Sequence, residues 1–204
     1  MRKAALLLSV LFLLSALCPI FAQTPAECLV RVQGLESMLP KVTNGARATI
    51  HEIIPDPTAY EKTLPPLDKV IKDKDKLNFK NYGGLAEAYF FSGNASDGQR
   101  IYTVFAANAT DVLGPDDTYP AYVGGDLGIL NFIDKKYSDA ENYLLPAIKQ
   151  LESHLTPAIS NNLIADYLCM ALIRTKSAKE TEKTEATTYA KKLVDLVNKQ
   201  RQPY

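Results

Sequence analysis

The chain has 204 residues, of which 23 are basic and 23 acidic, so its formal net charge is zero. With that balance nothing points to nucleic acid, which would call for a basic face, and this length suits one domain with a core large enough to fold unaided. The abundance of Ala, Leu, Lys and Glu, with no Trp at all, leans towards helix.

In chain order, a basic start (Arg2, Lys3) leads into an apolar run from Ala4 to Leu17 that Pro19 and Ala22 close. That is the layout of a secretory signal over residues 1–22, with a mature chain beginning at Gln23. Ile20 is bulkier than the small residue usual two positions before such a cut. The run approaches the roughly 17–25 residues of a spanning helix, but Pro19, Ser9 and Ser15 interrupt it. Cys18 follows Leu17 where a lipid-modified cysteine needs a small neighbour. Removing Arg2 and Lys3 from the 23 basic residues leaves 21 against 23 acidic ones. The expectation is an exported protein, periplasmic or extracellular, with no membrane segment after cleavage. Cys28 and Cys169 then remain in an oxidising compartment, where a disulfide would persist if they met. Spacing does not show that they meet, and a buried free thiol at Cys169, inside an apolar run, is the alternative.

Residues 23–80 read as an N-terminal helical segment. One helix spans about Pro25 to Val42, and another Thr58 to Lys72, with Tyr60, Leu64, Leu67 and Ile71 at helical spacing and Pro65 and Pro66 disturbing it. The pair forms a degenerate first repeat or a cap. The alternating charges of Lys72-Asp73-Lys74-Asp75-Lys76 read as a solvated linker.

From residue 81 onward the pattern repeats. Gly98, Ile101, Tyr102, Phe105, Ala106 and Ala109 mark one face of a helix; Ala140, Tyr143, Leu144, Ala147, Ile148 and Leu151 repeat the spacing, as do Ala186, Tyr189, Ala190, Leu193, Val194 and Val197. Leu85 and Leu127 open another apolar segment 13 residues ahead of the first two stripes. Each unit is thus a helix, a tight turn and a second helix. Gly93 is placed to end the first helix of unit one in the left-handed conformation, and Ser138 or Asp134 to cap the second helix of unit two. The Asp-, Gly- and Pro-rich stretch from Asp111 to Pro120 reads as a loop. The first helix of the third unit runs from about Ser160 to Thr175, and the charged stretch Lys176 to Lys183 follows it.

These segments resemble the tetratricopeptide repeat, whose pattern sets a large apolar residue beside a small one, then a tyrosine, a turn glycine and a small residue in the second helix. Leu85, Ala86, Tyr89, Gly93 and Gly98 fill those places in unit one, and Leu127, Gly128, Tyr137 and Ala140 in unit two. Asn131 and Lys135 depart from the pattern, and the stripes start 42 and 46 residues apart instead of the family's 34. The resemblance implies an all-α array of stacked antiparallel hairpins, about three over residues 81–204, with a concave groove that binds a peptide or partner protein. Its groove positions would be Lys80, Gly83, Glu87, Phe90 and Phe91, with Tyr122, Gly125, Ile129, Phe132 and Ile133. So apolar a surface marks a binding site if open, and ordinary core if the segment from Pro25 to Lys72 folds over it.

Nothing in the sequence points to catalysis, a cofactor or a metal. His51 and His154 have no ligand pattern around them and read as surface histidines. Asp111, Asp116 and Asp117 beside Gly114 fit no calcium loop. Gly83-Gly84 and Gly124-Gly125 lack the lysine and hydroxyl of a phosphate loop and read as tight turns. Asn94-Ala95-Ser96 and Asn108-Ala109-Thr110 match the N-glycosylation pattern. The expectation is an exported, non-enzymatic scaffold that binds a protein or peptide; an envelope assembly subunit and a carrier of a small apolar ligand are the alternatives.

Overall fold

A computed structural model describes residues 24–40, 48, 50–177 and 179–201. The expected signal, residues 1–22, lies outside them. Among the described residues every regular element is helical: α1 (Pro25–Gly34), α2 (Pro57–Glu61), α3 (Leu67–Lys72), α4 (Lys76–Phe91), α5 (Ala95–Leu113), α6 (Tyr119–Ile133), α7 (Tyr137–Ser153), α8 (Pro157–Thr175) and α9 (Glu180–Arg201). A short 3-10 turn, Glu36–Met38, follows α1.

Local chemistry sets where the helices start. Thr24 and Glu27 form a reciprocal capping box at α1, with Glu27 Oε2 accepting from the Thr24 N–H at 2.8 Å. Asp56, Asp75, Asn94 and Thr156 cap α2, α4, α5 and α8 in the same way, each side-chain oxygen accepting from the backbone N–H three residues on. The expected cap on α7 is absent: Lys136 holds that position without a side-chain bond, and Ser138 lies inside the helix. The helix expected from Thr58 to Lys72 is two helices, because α2 ends in a turn at Lys62–Leu64 and α3 starts only after Pro65-Pro66.

One turn recurs three times. After α3, α4 and α6 the backbone N–H groups of Asp75, Asn94 and Lys136 reach back five residues to the carbonyls of Val70, Tyr89 and Asn131, at 3.0, 2.9 and 2.9 Å. The residue before each is left-handed: Lys74 at φ 51°, Gly93 at 88° and Lys135 at 61°. The run Lys72–Lys76, expected as a linker, is one of these turns. Two of its lysines are engaged, Lys74 with Asp111 at 2.8 Å and Lys76 Nζ with the Leu113 carbonyl at 3.1 Å, which ties the start of α4 to the end of α5.

Helices α4–α5, α6–α7 and α8–α9 pack as successive antiparallel hairpins, and the first helices line up side by side, α4 on α6 and α6 on α8. The C-caps of those first helices are Ser92, Asp134 and Lys176, 42 residues apart in each step (134 − 92 and 176 − 134). Of the four extra residues before the third stripe (46 − 42), one lengthens the turn after α8 and three lengthen the start of α9, where the stripe begins six residues in (186 − 180) instead of three (98 − 95 and 140 − 137). The stripes are the interior faces, except that Ala106 of the first is exposed.

The N-terminal segment divides between the two ends of the array. Helix α1 packs on α9 and α8, while α2 and α3 pack on α4. Two cores result. Phe79, Leu85, Ile101 and Phe105 centre the first, with Ile50, Ile54 and Val70 from the N-terminal segment. The second joins the later two hairpins and takes in Cys28, Val32, Leu35 and Leu39.

Candidate functional site

The row of first helices is where the sequence places its site, and small residues set how closely that row packs. A Cβ added at Gly98 would run into the Phe90 ring and lie 3.1 Å from the Ala86 carbonyl; one at Gly128 would lie 2.5 Å from Leu144 Cγ and 3.2 Å from the Ala140 carbonyl. The pairs Ala86–Gly98 and Gly128–Ala140 therefore bring the two helices of a hairpin into backbone contact. Gly83-Gly84 and Gly124-Gly125 are not turns. Both pairs lie inside first helices, where Gly83 faces Tyr119 and Phe105, and Gly125 faces Asp166 of α8.

Against the expectation of an open groove, Glu87 is 5 % exposed, Phe132 5 % and Ile129 8 %, and Phe91 is also buried. Phe91 lies beneath a cleft whose other wall is Ile50, Ile54 and Pro55. Phe132 packs on Tyr137 with ring centroids 5.6 Å apart, within the core that α1 joins. Phe90 points towards the second helices: it is half-buried, meeting the Tyr143 ring edge-on at 6.4 Å. Four of the expected positions keep partial access: Lys80, Phe90, Tyr122 and Ile133. Lys80 Nζ sits 2.7 Å from Asp117 Oδ2 and 5.5 Å from the Tyr119 ring centroid.

The acidic residues expected in the loop each serve a separate contact: Asp111, inside α5, meets Lys74, and in the loop that follows Asp117 meets Lys80 and Asp116 meets His154 at 3.3 Å. Among the described residues no group of three or more His, Cys, Asp or Glu is placed to hold a metal ion, and no helix is long and apolar enough to cross a membrane. His154 is half-buried; its ring nitrogen bonds the Gln150 carbonyl, and this bond with the Asp116 carboxylate raises its pKa. His51 is exposed. Asn94, the cap of α5, is exposed, whereas Asn108 lies within that helix with its amide bonded to the Val104 carbonyl at 2.8 Å. Cys28 and Cys169 are both free and buried.

The sequence reading passed over two features. Arg174, at the end of α8, gathers Glu141 of α7 and Glu182 and Glu185 of α9 around one guanidinium, so three helices meet in a single charge cluster. Burial pulls the pKa of Arg174 down, and its carboxylate partners outweigh that and leave it raised. Asp166 is the second: 2 % exposed, with an Oδ2 that makes no hydrogen bond. Burial pushes its pKa well above the ordinary carboxylate range. Its trace in the sequence was plain, since it is the one charged residue between Leu163 and Ile173.

Exposed large apolar residues are dispersed over separate segments: Val30, Ile53, Leu77, Val104, Leu145 and Leu155. Such single exposures are ordinary on a folded surface. No family model matches the chain, and neither curated proteins nor solved structures include one that matches it.

Proposed function

We propose that this chain is an exported, non-enzymatic scaffold of the tetratricopeptide kind, which recognises a protein partner along its row of first helices. The observation that carries the reading is the seam chemistry. Within each of the first two hairpins the helices meet at Ala86–Gly98 and Gly128–Ala140, the small-residue places of that repeat pattern, and the first helices α4, α6 and α8 lie side by side. An array of this kind offers an extended surface assembled from several hairpins. Of the expected groove positions, Lys80, Tyr122 and Ile133 keep access to solvent on that row, and they combine a charge with apolar contact area.

The burial of Glu87, Phe91, Ile129 and Phe132 favours a second reading, an assembly subunit of the envelope in which the N-terminal segment completes the core and contacts are made by other faces. Photo-crosslinking residues placed at Tyr122, at Ile133 and, on α5, at exposed Val104 separate the two. Crosslinks to a partner from Tyr122 and Ile133 but not from Val104 support the scaffold reading; the reverse pattern replaces it with the second. Tyr122→Ser should reduce partner capture with little change in melting temperature. Loss of folding in that variant would mark Tyr122 as core.

A further inference from the structure

Asp166 stands where a carboxyl group is hard to keep. It lies on α8 at the seam with α6, with its Oδ1 2.7 Å from the place a Cβ on Gly125 would occupy, so α6 can sit this close only because residue 125 is glycine. The side chain is closed in by α8's neighbours, and α1, α6, α7 and α9 all pack on α8. Tyr167 and Cys169, on its own helix, are the groups that feel its charge. From α6 the residue in contact is Gly125, with Asp126 next in sequence. From α7 and α9, Glu152 and Lys192 are bonded to each other at 2.7 Å, Glu152 also holds the Tyr167 hydroxyl, and Tyr189 packs on the Tyr167 ring. From the α1 end, Cys28 shares the core and Glu36 pairs with Lys176. Among the described residues burial is the one influence on Asp166, and none of their cations pairs with it.

We propose that Asp166 is a proton-operated latch between the second and third hairpins: with its proton in place the α6–α8 seam closes, and loss of that proton to bulk water loosens it. The cause is the cost of an uncompensated charge in an apolar interior, which the chain relieves by letting water reach the carboxylate. Asp166 faces Gly125 across the seam at this short range, so water reaches the carboxylate by the parting of α6 from α8. The latch works whatever the array binds.

Opening follows from linkage. In the open seam Asp166 titrates at its ordinary value near 4, and in the closed seam higher, so the ratio of open to closed rises about tenfold per pH unit between the two. Cys169, one turn further along α8 and fully buried, is a built-in reporter. The experiment labels the protein with a maleimide between pH 5 and 8 and reads the Cys169 peptide by mass spectrometry. Dividing the rate in urea by the native rate at the same pH gives a protection factor free of intrinsic thiol chemistry. The expected result is a protection factor that falls about tenfold per pH unit until Asp166 ionises in the closed form, while it stays flat in Asp166→Asn and Asp166→Leu. Amide exchange in α5, corrected for intrinsic rates, should hold constant. A flat wild-type profile overturns the latch, and so does an equal fall of protection in α5, which would mean global unfolding. If neither substitution folds, the wild-type profile set against α5 still decides.

Discussion

Replacing Lys135 with glycine should make the protein more stable, although it removes a charged side chain and adds no contact. Lys135 holds φ 61° in a turn whose bonds match those at Gly93, where φ is 88°. An L-residue in the left-handed region costs about 1–2 kcal/mol. Glycine gives back part of that gain, about 0.4–1 kcal/mol, because it loosens the unfolded chain. The difference is a net stabilisation of about 0.5–1 kcal/mol. Lys135 is exposed, and its strongest visible role is the backbone bond to Phe132, which glycine keeps. Urea unfolding followed by far-UV circular dichroism should therefore show a higher midpoint with an unchanged slope, and melting should rise by about 1–4 °C for a chain of this size. Gly93→Ala should do the opposite by a similar amount. A neutral or destabilising Lys135→Gly, together with a neutral Gly93→Ala, would refute the claim that both turns end their helices in the left-handed conformation. Lys74 adopts the same conformation, but its ion pair with Asp111 adds a second effect there and makes Lys135 the cleaner test.

Three further outcomes rest on other parts of the structure. Gly98→Ala and Gly128→Ala should each destabilise by about 1–3 kcal/mol, since the added methyl meets an aromatic ring at one site and a leucine at the other; equilibrium unfolding measures this, and wild-type stability would show that the hairpins pack less closely. Phe105→Ala should remove about 3–5 kcal/mol, because the ring is fully buried and stacks on Phe79 at 4.8 Å and edge-on to Tyr119 at 6.1 Å; a loss under about 1 kcal/mol would place it outside the core. His154 has a raised pKa in the folded state, so its contact with Asp116 favours folding below the unfolded pKa and loses that effect as pH rises through the folded value. Nuclear magnetic resonance titration of its ring protons should show the pKa fall in Asp116→Asn, and an unmoved value would mean that Asp116 does not act on it.

How far the fold was legible depended on whether the deciding contact was local. The three stripes and the Leu85 and Leu127 segments are helix faces, and periodicity reports a face directly. Gly93 as a helix terminator was equally readable, because glycine after an apolar run has few other reasons to be there. The same logic missed Lys135, where the turn geometry persists without its usual residue, since an exposed turn can absorb about 1–2 kcal/mol of strain in a structure that over-determines it. Glycine pairs misled in the opposite direction. Gly83-Gly84 and Gly124-Gly125 look like punctuation, yet each serves a neighbour more than 35 residues away, Tyr119 and Asp166 respectively, and no local window contains that neighbour.

The candidate site was less legible than the fold for a related reason. Which face of a first helix is open depends on what else the chain lays over it, and the covering segment's destinations are long-range. An amphipathic helix announces only that it needs an apolar partner. Helix α1, with Cys28 and Val32 on one face, could have met α4, the first hairpin it reaches in sequence, but it packs on α9 and α8 at the far end. That choice leaves α4 to α2, α3 and the Ile50–Ile54 stretch, so one continuous N-terminal segment covers both ends of the array. A repeat array left bare at its ends exposes the apolar faces that inner units bury against each other. Helix α1 and helices α2 and α3 thus cap opposite ends of the row of hairpins. Phe91 and Phe132 are buried for the same reason: each lies in a core that one of those caps completes.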